Sequence, residues 1–248
     1  MNLLVDIGNS RIKWAQHNAT GLSGHHAVFY DKSDVTTMLD TEWKTLSAPS
    51  RILVSNVAGK KVADKLSHWT VKHWQVKPEF VKVMNTAYGV KNAYADISQL
   101  GIDRWLVVIA TWHKYHSAAC IVDCGTAITV DGLSNKGQHL GGMIIPGREI
   151  MQQALSQRTR GIPEPGDIKV NSGFADNTAQ GVIAGCRTAI VALIDRVVHE
   201  MQSKFNGKLT CVITGGGTED IINLLSDEFI NEPHLVLQGL TLMAGETP

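Results

Sequence analysis

The sequence predicts an α/β protein built from two similar halves, and three observations predict it. Short apolar runs with the look of buried strands alternate with longer stretches at helical spacing. An apolar run that ends in Asp and enters a polar, Gly-containing turn occurs at Val5-Asp6-Ile7-Gly8-Asn9-Ser10. The same pattern returns at Val122-Asp123-Cys124-Gly125-Thr126-Ala127. Asp123 lies 117 residues after Asp6, close to half of the 248-residue chain, which marks an internal duplication.

Each element follows in order. Asn2–Asp6 is the first strand, and Arg11–Gln16 alternates polar and apolar as a half-buried strand does, so residues 2–16 form a β-hairpin. His25 and His26 read as a loop pair. Arg51–Ser55 is a strand and residues 59–69 are helical. Residues 103–116 carry Trp105, Leu106, Val108, Ile109 and Trp112 at helical spacing, with Asp103 near the start. Tyr115–Ala118 is the linker, dividing the chain into halves 1–115 and 116–248. Ala119–Asp123 and Ile128–Val130 repeat the hairpin. Gly161–Gly166, rich in Pro and Gly, reads as a surface loop. Residues 177–201 form a long helix with Asn177 as N-cap. Thr210–Thr214 is a buried strand that runs into Gly215-Gly216-Gly217 and then a helix. Strands alternating with helices argue for a mainly parallel core sheet, with the hairpins adding antiparallel strands.

Bulk numbers narrow the partners. Lys+Arg and Asp+Glu both number 23, so the chain makes no global electrostatic case for nucleic acid or an anionic membrane. Cys120, Cys124, Cys186 and Cys211 form no C-x-x-C pair and read as buried, reduced thiols. Asp6, Arg11 and Lys13 break the first apolar run, which argues against a signal peptide. No run nears the roughly 20 apolar residues needed to span a bilayer, so the expected location is the cytoplasm.

Five constellations carry chemistry. The turn from Asp6 to Lys13 offers backbone N–H groups, the Asn9 and Ser10 side chains and the Lys13 cation to a phosphate, and Asp6 suits Mg²⁺ held through water. The same residues also suit an ordinary hairpin turn. Asp123, Gly125, Thr126 and Ala127 repeat the pattern, and two such turns suit a kinase that grips a nucleotide's phosphates. Gly215–Gly217 permits close backbone approach to a flat ligand or a phosphate. Gly101-Ile102-Asp103-Arg104 sets an acid beside a base: the carboxylate can accept a hydroxyl proton and the guanidinium can bind a substrate carboxylate. An N-cap Asp followed by a surface Arg would look the same. Gly141–Gly147 reads either as a hinge or ligand-lining loop or as a structural β-turn. No G-x-x-x-x-G-K-[ST] and no H-R-D or D-F-G set occurs, so neither a P-loop nor a protein kinase is indicated. His113 and His116 are read as surface residues of a helix rather than half of a metal site.

Taken in order, D-I-G-N-S, L-G-I-D-R-W at 100–105, V-D-C-G-T-A-I-T-V-D at 122–131, G-G-M-I-I-P-G at 141–147, T-G-G-G at 214–217 and Leu235–Leu240 resemble the type III pantothenate kinases across essentially the whole chain. The resemblance implies duplicated ribonuclease-H-like halves of the actin/heat-shock-ATPase/acetate-kinase type (the ASKHA fold). It implies transfer of a phosphoryl group from ATP to pantothenate, the first step of coenzyme A synthesis, with Mg²⁺ and a monovalent cation, K⁺ or NH₄⁺. Asp6, Ile7, Gly8, Asn9, Ser10, Arg11, Ile12 and Lys13 would form the first nucleotide loop, joined by Gly125, Thr126, Gly215 and Gly216. Asp6 would lie near Mg²⁺ and Asp123 near the monovalent cation. Asp103 would be the general base. Tyr94, Gly101, Ile102, Asp103 and Arg104 would bind pantothenate, with Thr178 reaching it from the partner subunit of a homodimer. The alternatives are another small-molecule kinase of the same superfamily, or a nucleotide-binding regulatory protein without catalysis.

Overall fold

A strand with buried side chains on both faces must lie inside a sheet, and residues 2–7 form one. Leu3–Ile7 are all buried in the computed structural model, which describes residues 1–163 and 173–245. This strand, β1 (Asn2–Ile7), pairs antiparallel with β2 (Arg11–Asn18), and β2 pairs antiparallel with β3 (Gly21–Phe29). On its other side β1 runs parallel to β4 (Arg51–Asn56), and β4 runs parallel to β5 (Glu79–Phe80). The order is β3-β2-β1-β4-β5.

Two helices cover one face of this sheet. Val35, Leu39 and Trp43 of α1 (Val35–Trp43) recur every four residues and form one apolar stripe. They join Val62, Leu66 and Trp69 of α2 (Lys60–Trp74) and Leu3, Val5 and Ile7 of β1 in one core. The Trp43 ring stands edge-on to Trp14 and Trp69, with centroids 5.7 and 6.0 Å away. Because side chains alternate along a strand, Leu4 and Asp6 point to the opposite face. A small hairpin, β6 (Thr86–Ala87) and β7 (Val90–Lys91), precedes α3 (Ile102–Tyr115).

The second unit repeats the plan. β8 (Ala119–Cys124), β9 (Ala127–Leu133), β10 (His139–Pro146), β11 (Thr210–Thr214) and β12 (Ile230–Asn231) lie in the order β10-β9-β8-β11-β12, with the same pattern of antiparallel and parallel pairs. α4 (Arg148–Arg158) and α5 (Thr178–Lys204) follow β10. Ile190, Ile194 and Val198 on α5 pack on Cys120, Val122 and Cys124, the counterparts of Leu3, Val5 and Ile7. Asp123 therefore leaves its sheet on the same face as Asp6 does in the first unit. The duplication read from the sequence is a duplication of topology.

Contacts group residues 1–114 with the segment from His234 onward, and Tyr115–Pro233 as the second unit. The sequence-based halves divided the chain after residue 115 and left the C-terminal segment in the second half. Its helix, α6 (Leu235–Met243), is buried nearly all round and packs against β1, β2 and β4. A Cβ on Gly239 would stand 2.5 Å from the Leu106 carbonyl oxygen, so a glycine is what lets α6 lie against α3.

Four local readings change. Each sheet is half antiparallel rather than mainly parallel, because each has only two parallel pairs. His25 and His26 belong to β3, where His26 stacks on Trp14 at 5.1 Å. Gly141–Pro146 lies within β10, paired with Gly132–Ala127, and is neither a hinge loop nor a β-turn. The glycine run after β11 leads into two short 3₁₀ helices, Thr218–Asp220 and Ile222–Leu224, rather than one regular α-helix. The Thr218 hydroxyl donates to the Thr214 carbonyl at 2.9 Å and tightens that turn. Residues 164–166 of the Gly161–Gly166 loop lie outside the described residues.

Candidate active site

The end of β1 makes the first turn. The register sets Asp6 against Lys13 and Ile7 against Ile12, leaving Gly8–Arg11 to reverse the chain. The Gly8 N–H donates to the Arg11 carbonyl at 3.0 Å. Asp6 is only 6% exposed, and the Ser55 hydroxyl, across the register on β4, donates to its Oδ1 at 3.0 Å. Ile7 and Ile12 are fully buried, so the turn is theirs to shape through backbone alone. Asn9 is exposed, and Ser10, Arg11 and Lys13 are half-buried. The Arg11 guanidinium lies 4.1 Å over the Phe29 ring.

Two residues that the sequence reading missed hold this turn. The Tyr30 hydroxyl donates to the Gly8 carbonyl at 2.8 Å, and Lys32 Nζ donates to Asn9 Oδ1 at 2.7 Å. Burial, and then the Asp6 carboxylate, push the Tyr30 hydroxyl up to about 12, so it stays a donor at neutral pH.

The second turn is one residue shorter. Asp123 pairs with Thr129 and Cys124 with Ile128, leaving Gly125–Ala127, and the Gly125 N–H donates to the Ala127 carbonyl at 3.1 Å. The residue opposite the aspartate is thus Lys13 in one unit and Thr129 in the other. Two glycine segments clasp this turn. The Gly147 N–H donates to the Thr126 carbonyl and the Gly217 N–H to the Cys124 carbonyl, both at 2.9 Å. A Cβ on Gly147 would stand 2.5 Å from the Thr126 oxygen, and one on Gly215 would stand 2.5 Å from both Asp123 Oδ1 and the Cys124 oxygen. Gly215 also sits at φ +98°, which L side chains rarely adopt. Gly125, Thr126 and Gly216 stay exposed beside it. Burial first, then Asp123, push the Cys124 thiol up to about 12, so the sulfur next to the turn is no nucleophile at neutral pH.

The third group forms at the head of α3. Asp103 Oδ1 accepts the Arg104 N–H at 2.8 Å, and a Cβ on Gly101 would stand 2.5 Å from that same oxygen. Glycine at 101 therefore gives the carboxylate room to fold back. Arg104 is 5% exposed, not a surface arginine, and its Nη1 donates to the Tyr94 hydroxyl at 3.0 Å. Buried Asn92, also missed from sequence, accepts the Tyr94 N–H at 2.9 Å and fixes the backbone there. Between them Asp96 caps the 3₁₀ turn Ile97–Gln99, and its bonds from Ser98 hold its carboxyl below the usual carboxylate range. Ile102 points into the core. The structure thus gathers Tyr94, Gly101, Asp103 and Arg104 in one unit, and Asp123, Gly125, Thr126, Gly215 and Gly216 in the other. Thr178 stands exposed on a separate element, the first turn of α5, whose cap Asn177 accepts the Gln180 N–H at 3.0 Å.

Asp6 and Asp123 offer hard carboxylate oxygens. Among the described residues no group of three or more His, Cys, Asp or Glu forms a cage for a metal. Asp6, taken by itself, fits Mg²⁺, which keeps most of its water and needs only one or two carboxylates beside phosphate oxygens.

With this geometry in hand, the relatives decide the family. The family model for type III pantothenate kinase matches residues 2–200. The chain belongs to the type III pantothenate kinase family. A type III pantothenate kinase of Nitrosococcus oceani is 43% identical over 252 residues, covering 100% of this chain and 95% of that protein. A conserved Campylobacter jejuni protein assigned to the Baf family of transcriptional activators is similar in structure, with a TM-score of 0.62, 22% identity and 98% of each chain covered. The activator of the 2-hydroxyisocaproyl-CoA dehydratase of Clostridium difficile, crystallised with ADPNP, gives a TM-score of 0.54 at 11% identity, covering 98% of this chain and 93% of that one. At such identities the two structures speak to fold alone. That fold is the duplicated ribonuclease-H-like arrangement of actin, the heat-shock ATPases and acetate kinase, and the chain is a phosphotransferase. No helix among the described residues is long and apolar enough to cross a membrane.

Proposed function

We propose that this enzyme transfers the γ-phosphoryl group of ATP to the primary hydroxyl of pantothenate, giving 4′-phosphopantothenate. The observation that carries the residue assignment is the head of α3. A carboxylate held by its neighbour's N–H stands beside a buried guanidinium held by Tyr94. In phosphoryl transfer the protein chiefly positions groups and stabilises charge. Asp103 accepts the proton of the attacking hydroxyl. Arg104 binds the pantothenate carboxylate, and Tyr94 and Gly101 shape that subsite with the backbone of Ile102. The turns at Asp6–Lys13 and Gly125–Thr126, with Gly215 and Gly216, bind the nucleotide.

Mg²⁺ would be held by Asp6 through water and would neutralise charge on the β- and γ-phosphates. Asp123 would hold a monovalent cation, K⁺ or NH₄⁺, beside the second turn. We read the enzyme as a cytoplasmic homodimer in which Thr178 reaches the partner's pantothenate. Supporting the dimer, α4 buries none of its residues, and Met143 and Ile144 on β10 are 47% and 60% exposed. A mass measurement in solution tests it: a monomer would remove the dimer and the Thr178 role together.

The test of substrate is ADP release with ATP, Mg²⁺ and K⁺, run with pantothenate beside glucose, glycerol and acetate. Turnover with pantothenate alone supports the reading. Turnover with another acceptor keeps the fold and discards the substrate.

A further inference from the structure

A phosphate site must present donors and hide acceptors, since a carbonyl or amide oxygen aimed at a phosphate repels it. A hairpin turn does not do this by itself, because it carries as many C=O as N–H groups. The first turn, Gly8–Arg11, has five oxygen acceptors besides the Ser10 hydroxyl, its four carbonyls and Asn9 Oδ1, and four of the five are met by a donor from within the unit. Gly8 O receives the Tyr30 hydroxyl at 2.8 Å, and Ser10 O receives the Tyr30 N–H at 3.3 Å. Arg11 O receives the Gly8 N–H at 3.0 Å. Asn9 Oδ1 receives Lys32 Nζ at 2.7 Å.

The last bond has a further consequence. An ammonium group is donor-only, so it can bond only the oxygen end of the Asn9 amide. The nitrogen end of that amide is thereby the end turned away from Lys32. The lysine adds a positive charge beside the turn as well.

The segment that delivers these donors is itself held. Lys65 on α2 donates to the Lys32 carbonyl at 3.2 Å and to the Ser33 carbonyl at 2.6 Å. Asp31 Oδ1 accepts the Ser33 N–H at 2.7 Å. Tyr30 and Lys32 thus follow the edge strand β3 as a short strap across the turn.

We propose that Lys32, with Tyr30, is a positioning residue for ATP: it fixes the Asn9 amide with its donor end toward the phosphates, and the pair occupies turn oxygens that would otherwise repel an anion. This rests on the reading of residues 6–13 as a nucleotide loop. The strap is peculiar to the first unit, since in the second the turn is clasped by glycine backbone from Gly147 and Gly217.

The test measures ATP binding by calorimetry and steady-state KM for ATP and for pantothenate on the whole enzyme. The variants are Lys32→Met, Lys32→Arg and Lys32→Glu, with Lys60→Met as a control for lost surface charge. Among the described residues Lys60 pairs with Asp64 on its own helix, at 2.6 Å. Lys32→Met is expected to weaken ATP about tenfold, the scale of one hydrogen bond to a charged group. KM for pantothenate and kcat at saturating ATP should hold. Lys32→Arg should restore most of the affinity, and Lys32→Glu, which accepts and so inverts the amide, should be weaker than Lys32→Met. Equal ATP affinity in Lys32→Met and wild type overturns the proposal, as does equal loss in Lys60→Met. Failure of the wild type to bind ATP would instead overturn the nucleotide-loop reading beneath it.

Discussion

Replacing Tyr94 with Phe removes one oxygen and keeps the ring. Arg104 is 5% exposed, and its Nη1 donates to the Tyr94 hydroxyl at 3.0 Å, while its Cζ lies 5.8 Å from the ring centre. The ring contact survives in the variant; the hydrogen bond does not. A hydrogen bond to a charged group contributes about 1.5–3 kcal/mol. Every 1.4 kcal/mol is a factor of ten, so the guanidinium's lost anchor should weaken pantothenate by roughly ten- to a hundredfold. The loss should appear as a raised KM for pantothenate, with ATP KM near wild type and kcat reduced much less, because Asp103 is held independently by the Arg104 N–H at 2.8 Å. ADP release with pantothenate varied at saturating ATP reads this directly. An unchanged pantothenate KM would refute the reasoning that Tyr94 positions Arg104 on substrate. A matching rise in ATP KM would show a general loss of the fold instead.

Other outcomes follow from the packing. Gly215→Ala puts a methyl 2.5 Å from Asp123 Oδ1 and the Cys124 oxygen at φ +98°, so ATP affinity should fall and the melting temperature should drop; normal values for both would contradict the close packing of this turn. Ile194→Ala, at a fully buried site on α5, should cost about 2–5 kcal/mol by denaturant titration. Burial holds the Cys124 and Cys211 thiols up at about 12, against an ordinary value of 9.0, and raises Cys120 further. A raised thiol pKa stabilises the fold fully below pH 9, and that stability is lost as pH climbs from 9 toward 12, because only the unfolded chain then releases the protons. Stability should therefore decline above pH 9, and a thiol reagent at pH 8 should react with these three only on unfolding; fast labelling of the native protein would contradict their burial.

The strands that carry Asp6 and Asp123 one residue from their ends were legible because an apolar run followed by a carboxylate and a glycine turn leaves few alternatives. The helix at 177–201 was legible from its cap and its length. Edge strands were not. β3 carries His25, His26 and Gly24 and buries almost nothing, so no alternation marks it; only pairing with β2 makes it a strand. β10 hid for the same reason, with Gly141, Gly142 and Pro146 reading as loop residues. α1 did carry its signal, Val35, Leu39 and Trp43 at four-residue spacing, and was overlooked. At the candidate site, the sequence singled out Gly101–Arg104 by an acid and a base side by side after a glycine. The burial of Arg104, and the donors Tyr30 and Lys32 reaching back more than twenty residues to the first turn, depend on tertiary contacts that no local pattern encodes.

The central claim is that Asp103 is the base of a pantothenate kinase. The most direct test compares wild type with Asp103→Asn for pantothenate-dependent ADP release, with ATP binding measured on both. The account predicts that Asp103→Asn binds ATP like the wild type and loses most of its turnover, since a positioned general base contributes about 10²–10⁴-fold. Full kcat in Asp103→Asn would contradict it.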